Sequence, residues 1–323
     1  LPIGTIEVID NFPYQALRDY YETWYRPDQQ GIIVVGDIDV DKVEAKIKEI
    51  FSPIKMPTNA PERKYEPVAD NKEPIITIAK DKEQPSTMIY IWHKHPATPN
   101  EAKGNIGYLV QNYLFSMISS MMHARLEELR QGANPPFIQA ASGDSDFLLS
   151  KTAEAFVGMA VSKDDGIPTA ISALVREIER ARKFGFTASE YARAKADYLR
   201  SLESAYNERD KMKNNQYVQE YVRHFIDNEP IPGIEMEYTL MNQLAPSIPV
   251  EAINSILPQL IKDENVVINI FGPDKEGMVY PTEAEILDIL KNTKAEEITA
   301  YVDKVSDEPL MRETPKAGKI VKT

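Results

Sequence analysis

The chain of 323 residues contains no cysteine. That excludes disulfides, thiolate metal sites and a cysteine nucleophile in one stroke, and it leaves the redox compartment open. Histidine is almost as scarce, with four residues at 93, 95, 123 and 224. No apolar run approaches the roughly 20 residues a membrane helix needs. Basic residues are outnumbered, 37 against 50 acidic, for a formal charge of -13. A nucleic-acid binder carries a basic footprint that is missing here, and so does a protein that docks electrostatically on anionic lipid. The 14 glycines form no phosphate-cradling loop, and no Gly-x-Ser-x-Gly elbow occurs. What remains is an ordinary globular composition, 42% hydrophobic and 27% charged, in a chain long enough for about two domains of roughly 100–200 residues each.

Two stretches share a plan. Ile32-Ile33-Val34-Val35-Gly36-Asp37 follows an aromatic helix end, Tyr20-Tyr21-Glu22-Thr23-Trp24-Tyr25, and Val266-Val267-Ile268-Asn269-Ile270-Phe271-Gly272-Pro273-Asp274 returns near the other end. Each reads as an apolar strand leaving through Gly and Asp, with a short helix after it: Asp41 to Phe51 and Thr282 to Leu290. The recurrence points to two copies of one domain, the first lacking nearly all of its front. The run from Ile32 to Ile38 is continuous and apolar, which predicts a strand covered on both faces. Asp41 with Glu44 predicts the capping box of the helix that follows.

Pro53 to Asp70 holds four prolines among charges and small residues and reads as a linker. A complete unit follows. Strands are expected at Ile75–Ala79 and Thr87–Trp92, then a long helix over Asn100–Arg130, then strands at Phe137–Ala141 and Ala153–Val161. Pro168 opens a helix that Gly185 closes, and Thr187 with Glu190 is a capping box for the next. Helices are expected near Asn214–Ile226, Ile234–Leu244 and Val250–Ile261. Pro309 to Thr323 is polar and reads as a further linker.

Chemistry-bearing motifs are thin. Neither His-Glu-x-x-His nor its inverse occurs; His123 and Glu127 come nearest and read as an exposed helical pair. His93 and His95, two apart, could present two imidazoles on one face, yet no third ligand has a defined spacing, so they read as histidines at a strand-to-loop exit. Asp144, Asp146, Asp164 and Asp165 read as solvated turns, and Met117, Met121 and Met122 as core packing. No residue stands out as a catalytic group.

The opening Leu1-Pro2-Ile3-Gly4-Thr5, the run Tyr21-x-x-Trp24-Tyr25-Arg26-Pro27-Asp28 with Val35-Gly36-Asp37-Ile38-Asp39, the block Ala124-Arg125-Leu126-Glu127-Glu128-Leu129-Arg130 before Phe137-Ile138-Gln139-Ala140, and Gly185-Phe186-Thr187-Ala188-Ser189-Glu190 together resemble the pitrilysin/insulinase family of zinc metallopeptidases. The resemblance implies an α+β fold, a repeated unit with a mostly antiparallel sheet and helices packed against it, one copy partial and one complete. It implies residues 1–56 as the end of a catalytic domain, 57–71 as a linker, 72–295 as a non-catalytic second domain, and 296–323 as a linker towards a second half. It implies that the chain begins inside a larger protein, downstream of the zinc motif. Zinc belongs to that parent, and no catalytic or metal residue is expected in this segment. Arg130 falls on the family's substrate-side helper position, but its paired Tyr is replaced by Phe137, which lacks the phenol donor. The implied partners are a peptide substrate, the catalytic domain and the second half of the clam, with no nucleic acid and no membrane. The implied activity of the parent is endopeptidase cleavage in an enclosed chamber, in a compartment leaning towards the bacterial periplasm. The alternative is a structural homologue without peptidase activity, acting as a scaffold or binding subunit.

Overall fold

A computed structural model describes residues 4–304 together with 311, 313, 315, 316 and 318. Leu1-Pro2-Ile3 and most of the expected terminal linker lie outside the described residues. The elements in chain order are helices α1 (Ile6–Asn11), α2 (Tyr14–Trp24) and α3 (Val40–Phe51), strands β1 (Ile75–Asp81) and β2 (Thr87–Pro96), helices α4 (Asn100–Lys103) and α5 (Ile106–Gln131), strands β3 (Gln139–Asp146) and β4 (Ala153–Ser162), helices α6 (Ile167–Phe184), α7 (Ala188–Asn207), α8 (Asn214–Asp227), α9 (Gly233–Leu244), α10 (Val250–Asn254) and α11 (Leu257–Leu260), strand β5 (Val266–Pro273) and helix α12 (Glu283–Ala295).

The strands form one sheet in the order β1-β5-β2-β4-β3. Only β1 and β5 run parallel; the other three pairs are antiparallel. The mostly antiparallel sheet with packed helices is the expected α+β fold. One face carries the main core, where Ile89, Ile91, Phe156, Ile268 and Ile270 meet Met117, Met121, Met122 and Leu126 of α5 and Ile171, Leu174 and Ile178 of α6. Helix α6 comes so near the sheet that a Cβ on Gly158 would lie 2.7 Å from Ile178 Cδ1, a reason for glycine inside a strand. The other face has a small core of Trp92, Phe147, Ala155 and Val267. There Trp92 Nε1 donates to Asn269 Oδ1 at 2.8 Å.

Local signals fared well. Thr187 and Glu190 form a reciprocal capping box, as do Thr282 and Glu285. Gly185 ends α6 at φ 69°, beyond easy reach of an L side chain. Several elements differ from expectation. The long helix breaks at Gly104, and α5 starts anew with Asn105 accepting from Tyr108 N at 3.3 Å. The expected helix over Val250–Ile261 is two short ones, α10 and α11. Asp39, not Asp41, caps α3, accepting from Lys42 N at 3.1 Å.

The larger correction concerns Ile32 to Ile38, which forms no strand. It lies as irregular chain, bent at Gly36–Asp37, with Ile32 47% and Val34 49% exposed. Its nearest support is α8, whose Phe225 ring would sit 3.0 Å from a Cβ on Gly31. A strand needs a ladder partner for its backbone groups, and neither edge strand of the sheet, β1 or β3, pairs with this run. Helices α1, α2 and α3 likewise bury no residue. The stretch expected as a linker, 57–71, is tied down at its end: Val68 N donates to Thr152 Oγ1, Lys94 Nζ to Ala69 O, and Asn71 N to Asn265 Oδ1. The chain after α12 also stays on the domain, with Arg176 held by Glu296 and Arg180 donating to Thr299 O.

Candidate functional site

Cross-strand register assembles the one metal-capable group among the described residues. In the β2–β4 ladder His95 stands opposite Glu154 and His93 opposite Phe156; in the β3–β4 ladder Asp144 stands opposite Phe156 and Asp146 opposite Glu154. Side chains on one face of neighbouring strands meet directly or diagonally, so His95, Asp144 and Glu154 converge. Each offers one ligand atom, and these atoms lie within 4.8 Å of one another. Expected as solvated turn residues, Asp144 and Asp146 are instead in β3, because the strand runs to Asp146 rather than stopping at Ala141.

His95 Nε2 is 2.8 Å from Asp144 Oδ1, and its Nδ1 is 3.2 Å from Pro96 O. Both ring nitrogens face acceptors, which suits the doubly protonated ring. Burial opposes that charge, but Asp144 outweighs it and the pKa is raised. Burial raises the Glu154 carboxyl as well, with the neighbouring Asp144 charge adding to it. Glu154 has two long contacts, accepting from Thr98 N at 3.3 Å and Thr98 Oγ1 at 3.4 Å. Asp144 and Glu154, though not His95, line a cleft of about 560 Å³ between the start of α5, β3, β4 and the end of α8, whose other walls include Tyr108, Ser116, Ser119, Asp146, Asp227 and Glu229. A larger recess of about 920 Å³, between the Asp164-Asp165 turn and α12, contains no histidine.

The other sequence candidates sit apart from this group. His93 is 3% exposed, with Nδ1 3.0 Å from Lys262 O, and burial lowers its pKa to about 4. It is a neutral core residue of β2, not a loop histidine, and does not share a centre with His95. His123 is exposed; the Glu127 carboxylate is taken by Arg130 at 2.7 Å and Gln131 at 2.8 Å, which pull it down to about 2. Arg130 is thus on the surface of α5, while Phe137 is fully buried in the core. His224 Nδ1 lies against Glu229 O at 2.6 Å.

Sequence reading missed a second convergence. Buried Arg125 forks onto Glu190, Nε to Oε1 at 2.6 Å and Nη2 to Oε2 at 2.9 Å, while Nη2 also donates to Gly185 O and Nη1 reaches Glu177 at 3.3 Å. Arg125 comes from one of the quoted blocks and Gly185 and Glu190 from another. These motifs are therefore one ion cluster, which fixes α5 to the α6–α7 corner. The carboxylate-matched fork of arginine explains the residue type. An Arg-x-x-Glu spacing would have been no signal, since the partners are 65 positions apart.

Comparison with known proteins finds relatives of the same fold. The "Zinc protease PQQL-like" protein of Arabidopsis thaliana is 25% identical over 326 residues, covering 99% of this chain and 30% of that protein. The periplasmic protease PqqL from Escherichia coli superposes with a TM-score of 0.78 at 22% identity, over 98% of this chain and 34% of that one. The crystallised first half of PqqL superposes with a TM-score of 0.76 at 23% identity, over 94% and 64%. The chain spans about a third of the length of the curated relatives it matches. The family profile described as "Peptidase M16 inactive domain" matches residues 11–198. With its α+β sheet, its Arg125–Glu190 corner and a profile match over more than half its length, the chain belongs to the peptidase M16 inactive-domain family.

Proposed function

We propose that this chain is the scaffold segment of a zinc metalloendopeptidase, walling an enclosed peptide chamber without performing the chemistry itself. In this reading residues 1–56 complete a catalytic domain supplied by preceding polypeptide, 57–71 link it to a non-catalytic domain over 72–295, and 296–323 lead to a second half. The carrying observation is the amphipathic yet unburied start of the chain: α1, α2, α3 and the Ile32–Ile38 run bury nothing, although their apolar residues are spaced for a core. Apolar faces patterned this way are completed by another layer.

The zinc of such an enzyme would be held by the preceding polypeptide. This chain has neither helical zinc motif, and its His95 group lacks the pair of imidazoles one turn apart that those motifs provide. When bound, zinc supplies an activated water for peptide hydrolysis; the residues here position and enclose. Arg130, paired with Glu127 and without a phenol at Phe137, is not assigned the helper role. Peptide is the substrate class, and the bacterial periplasm the favoured compartment, as the Escherichia coli relative suggests. No helix among the described residues is long and apolar enough to cross a membrane.

The test compares this chain with a version extended upstream through the parent's zinc motif. Fluorogenic peptide hydrolysis and hydrogen exchange are measured on both. The chain alone should be inert with Ile32–Ile38 exchanging freely; the extended protein should cleave in a chelator-sensitive way with that run protected. Cleavage by the short chain, or an unprotected run in the long one, overturns the reading.

A further inference from the structure

We propose that His95, Asp144 and Glu154 form a divalent transition-metal site beside the 560 Å³ cleft that Asp144 and Glu154 line, separate from the zinc of the parent enzyme and contained wholly in this chain. Three observations carry it. The donors come from three adjacent strands, β2, β3 and β4, so the sheet itself holds them in place, as rigid elements do for precise sites. The donor set, one imidazole and two carboxylates, is that of borderline cations such as Zn²⁺. The hydrogen bonding is also uneven. His95 serves Asp144, while Glu154 accepts two long contacts from Thr98 and, among the described residues, forms no ion pair within 4.0 Å.

A cation bound to all three would neutralise both carboxylates. It would replace the Nε2 proton of His95, released to solvent, and Asp144 would then bond the metal instead of the ring. Ligand atoms around a tetrahedral zinc lie roughly 3.4 Å apart, given bonds of about 2.0–2.2 Å. The group, spread over up to 4.8 Å, therefore needs to close by up to about 1.4 Å, a movement side-chain rotation can supply. The cleft supplies entry, and water or Thr98 Oγ1 could fill a fourth position. A simple His95–Asp144 ion pair accounts for two of the three groups and leaves Glu154 held by Thr98 alone among its hydrogen-bond partners.

The test is isothermal titration of the chelator-treated 323-residue chain with ZnSO₄, and a parallel Co²⁺ titration read by visible absorption. One saturable site is expected. Even lost outer-shell partners weaken metal binding 10–100-fold, so Glu154→Gln and Asp144→Asn, shown folded by circular dichroism, should each weaken it at least tenfold. His95→Gln should abolish the Co²⁺ bands. A His123→Gln/His224→Gln variant should bind as the parent chain does, ruling out surface histidines. Absence of a saturable site in the parent chain overturns the proposal, as does binding that survives Glu154→Gln and Asp144→Asn. Peptidase activity has no part in the readout, so the outcome is independent of the function proposed above.

Discussion

Residues 4–56 and residues 72–304 have similar amphipathic patterning and opposite fates. In the second region the apolar stripes of α5 and α6 close on a sheet, and Ile89, Leu126, Phe156, Leu174 and Ile268 are fully buried. In the first, Leu17, Tyr20, Tyr21, Ile32 and Val34 stand 47–60% exposed. Pattern says which face of an element is to be buried; it does not say that the covering layer is in the same chain. The second region is stabilised from within, and the first meets it at Gly31 against Phe225, while Arg26 Nη2 donates to Pro61 O of the intervening stretch.

The sharpest way to break that contrast is to attack the corner that locks the second region. Arg125→Met removes the cation facing Glu177 and Glu190, which are 4% and 5% exposed. Removing one partner of a buried ion cluster leaves uncompensated charge, and typically costs about 3–5 kcal/mol. Urea unfolding followed by Trp92, a reporter inside the small core, should show a loss of unfolding free energy of that size. Arg125→Lys should recover little, since an ammonium cannot make the fork onto Glu190. A shift below about 1 kcal/mol would mean that α5 is held by packing alone.

A smaller effect is expected at the same corner from backbone geometry. Gly185 has φ 69° and ψ -161°, a region used almost only by glycine and costing a side-chain-bearing residue roughly 1–3 kcal/mol. A Cβ there would also lie 2.4 Å from Asn254 Cγ, displacing the amide that accepts from Phe186 N at 2.8 Å and donates to Phe186 O at 3.0 Å. Gly185→Ala should therefore destabilise by about 1–3 kcal/mol without changing the far-ultraviolet spectrum. Asn254→Ala should remove the clash but not the strain, so the double variant recovers only in part.

This corner also shows what a sequence can disclose. Gly185 and the Thr187–Glu190 box are legible because their cause is local: a left-handed exit and a side chain three residues from its backbone partner. The capping of α3 was misplaced by two residues, as Asp39 and Asp41 are both competent caps and only backbone geometry separates them. Arg125 with Glu190, and His95 with Asp144 and Glu154, were invisible, because strand register and helix packing bring together residues 49 to 65 positions apart. Ile32–Ile38 failed for a different reason. Its composition is that of a strand, but a strand is a relation between two chains of backbone groups, and no partner stands beside it.

The least effect is expected where the comparison is most exposed to refutation. Val34 is 49% exposed, and a surface substitution away from special features changes stability by no more than about 0.5 kcal/mol. Val34→Asp in this chain should thus leave the urea midpoint of the Trp92 transition in place. The same change in a protein extended upstream would put a carboxylate into a covered strand, where burying an unpaired polar group costs on the order of 1–3 kcal/mol or more. The substitution is then silent in one context and damaging in the other. Equal silence in both would mean that the apolar run is never covered, and the likeness between the two regions would be one of composition alone. Equal damage in both would mean that Val34 already contributes to a core in this chain and that the first region is stabilised from within after all.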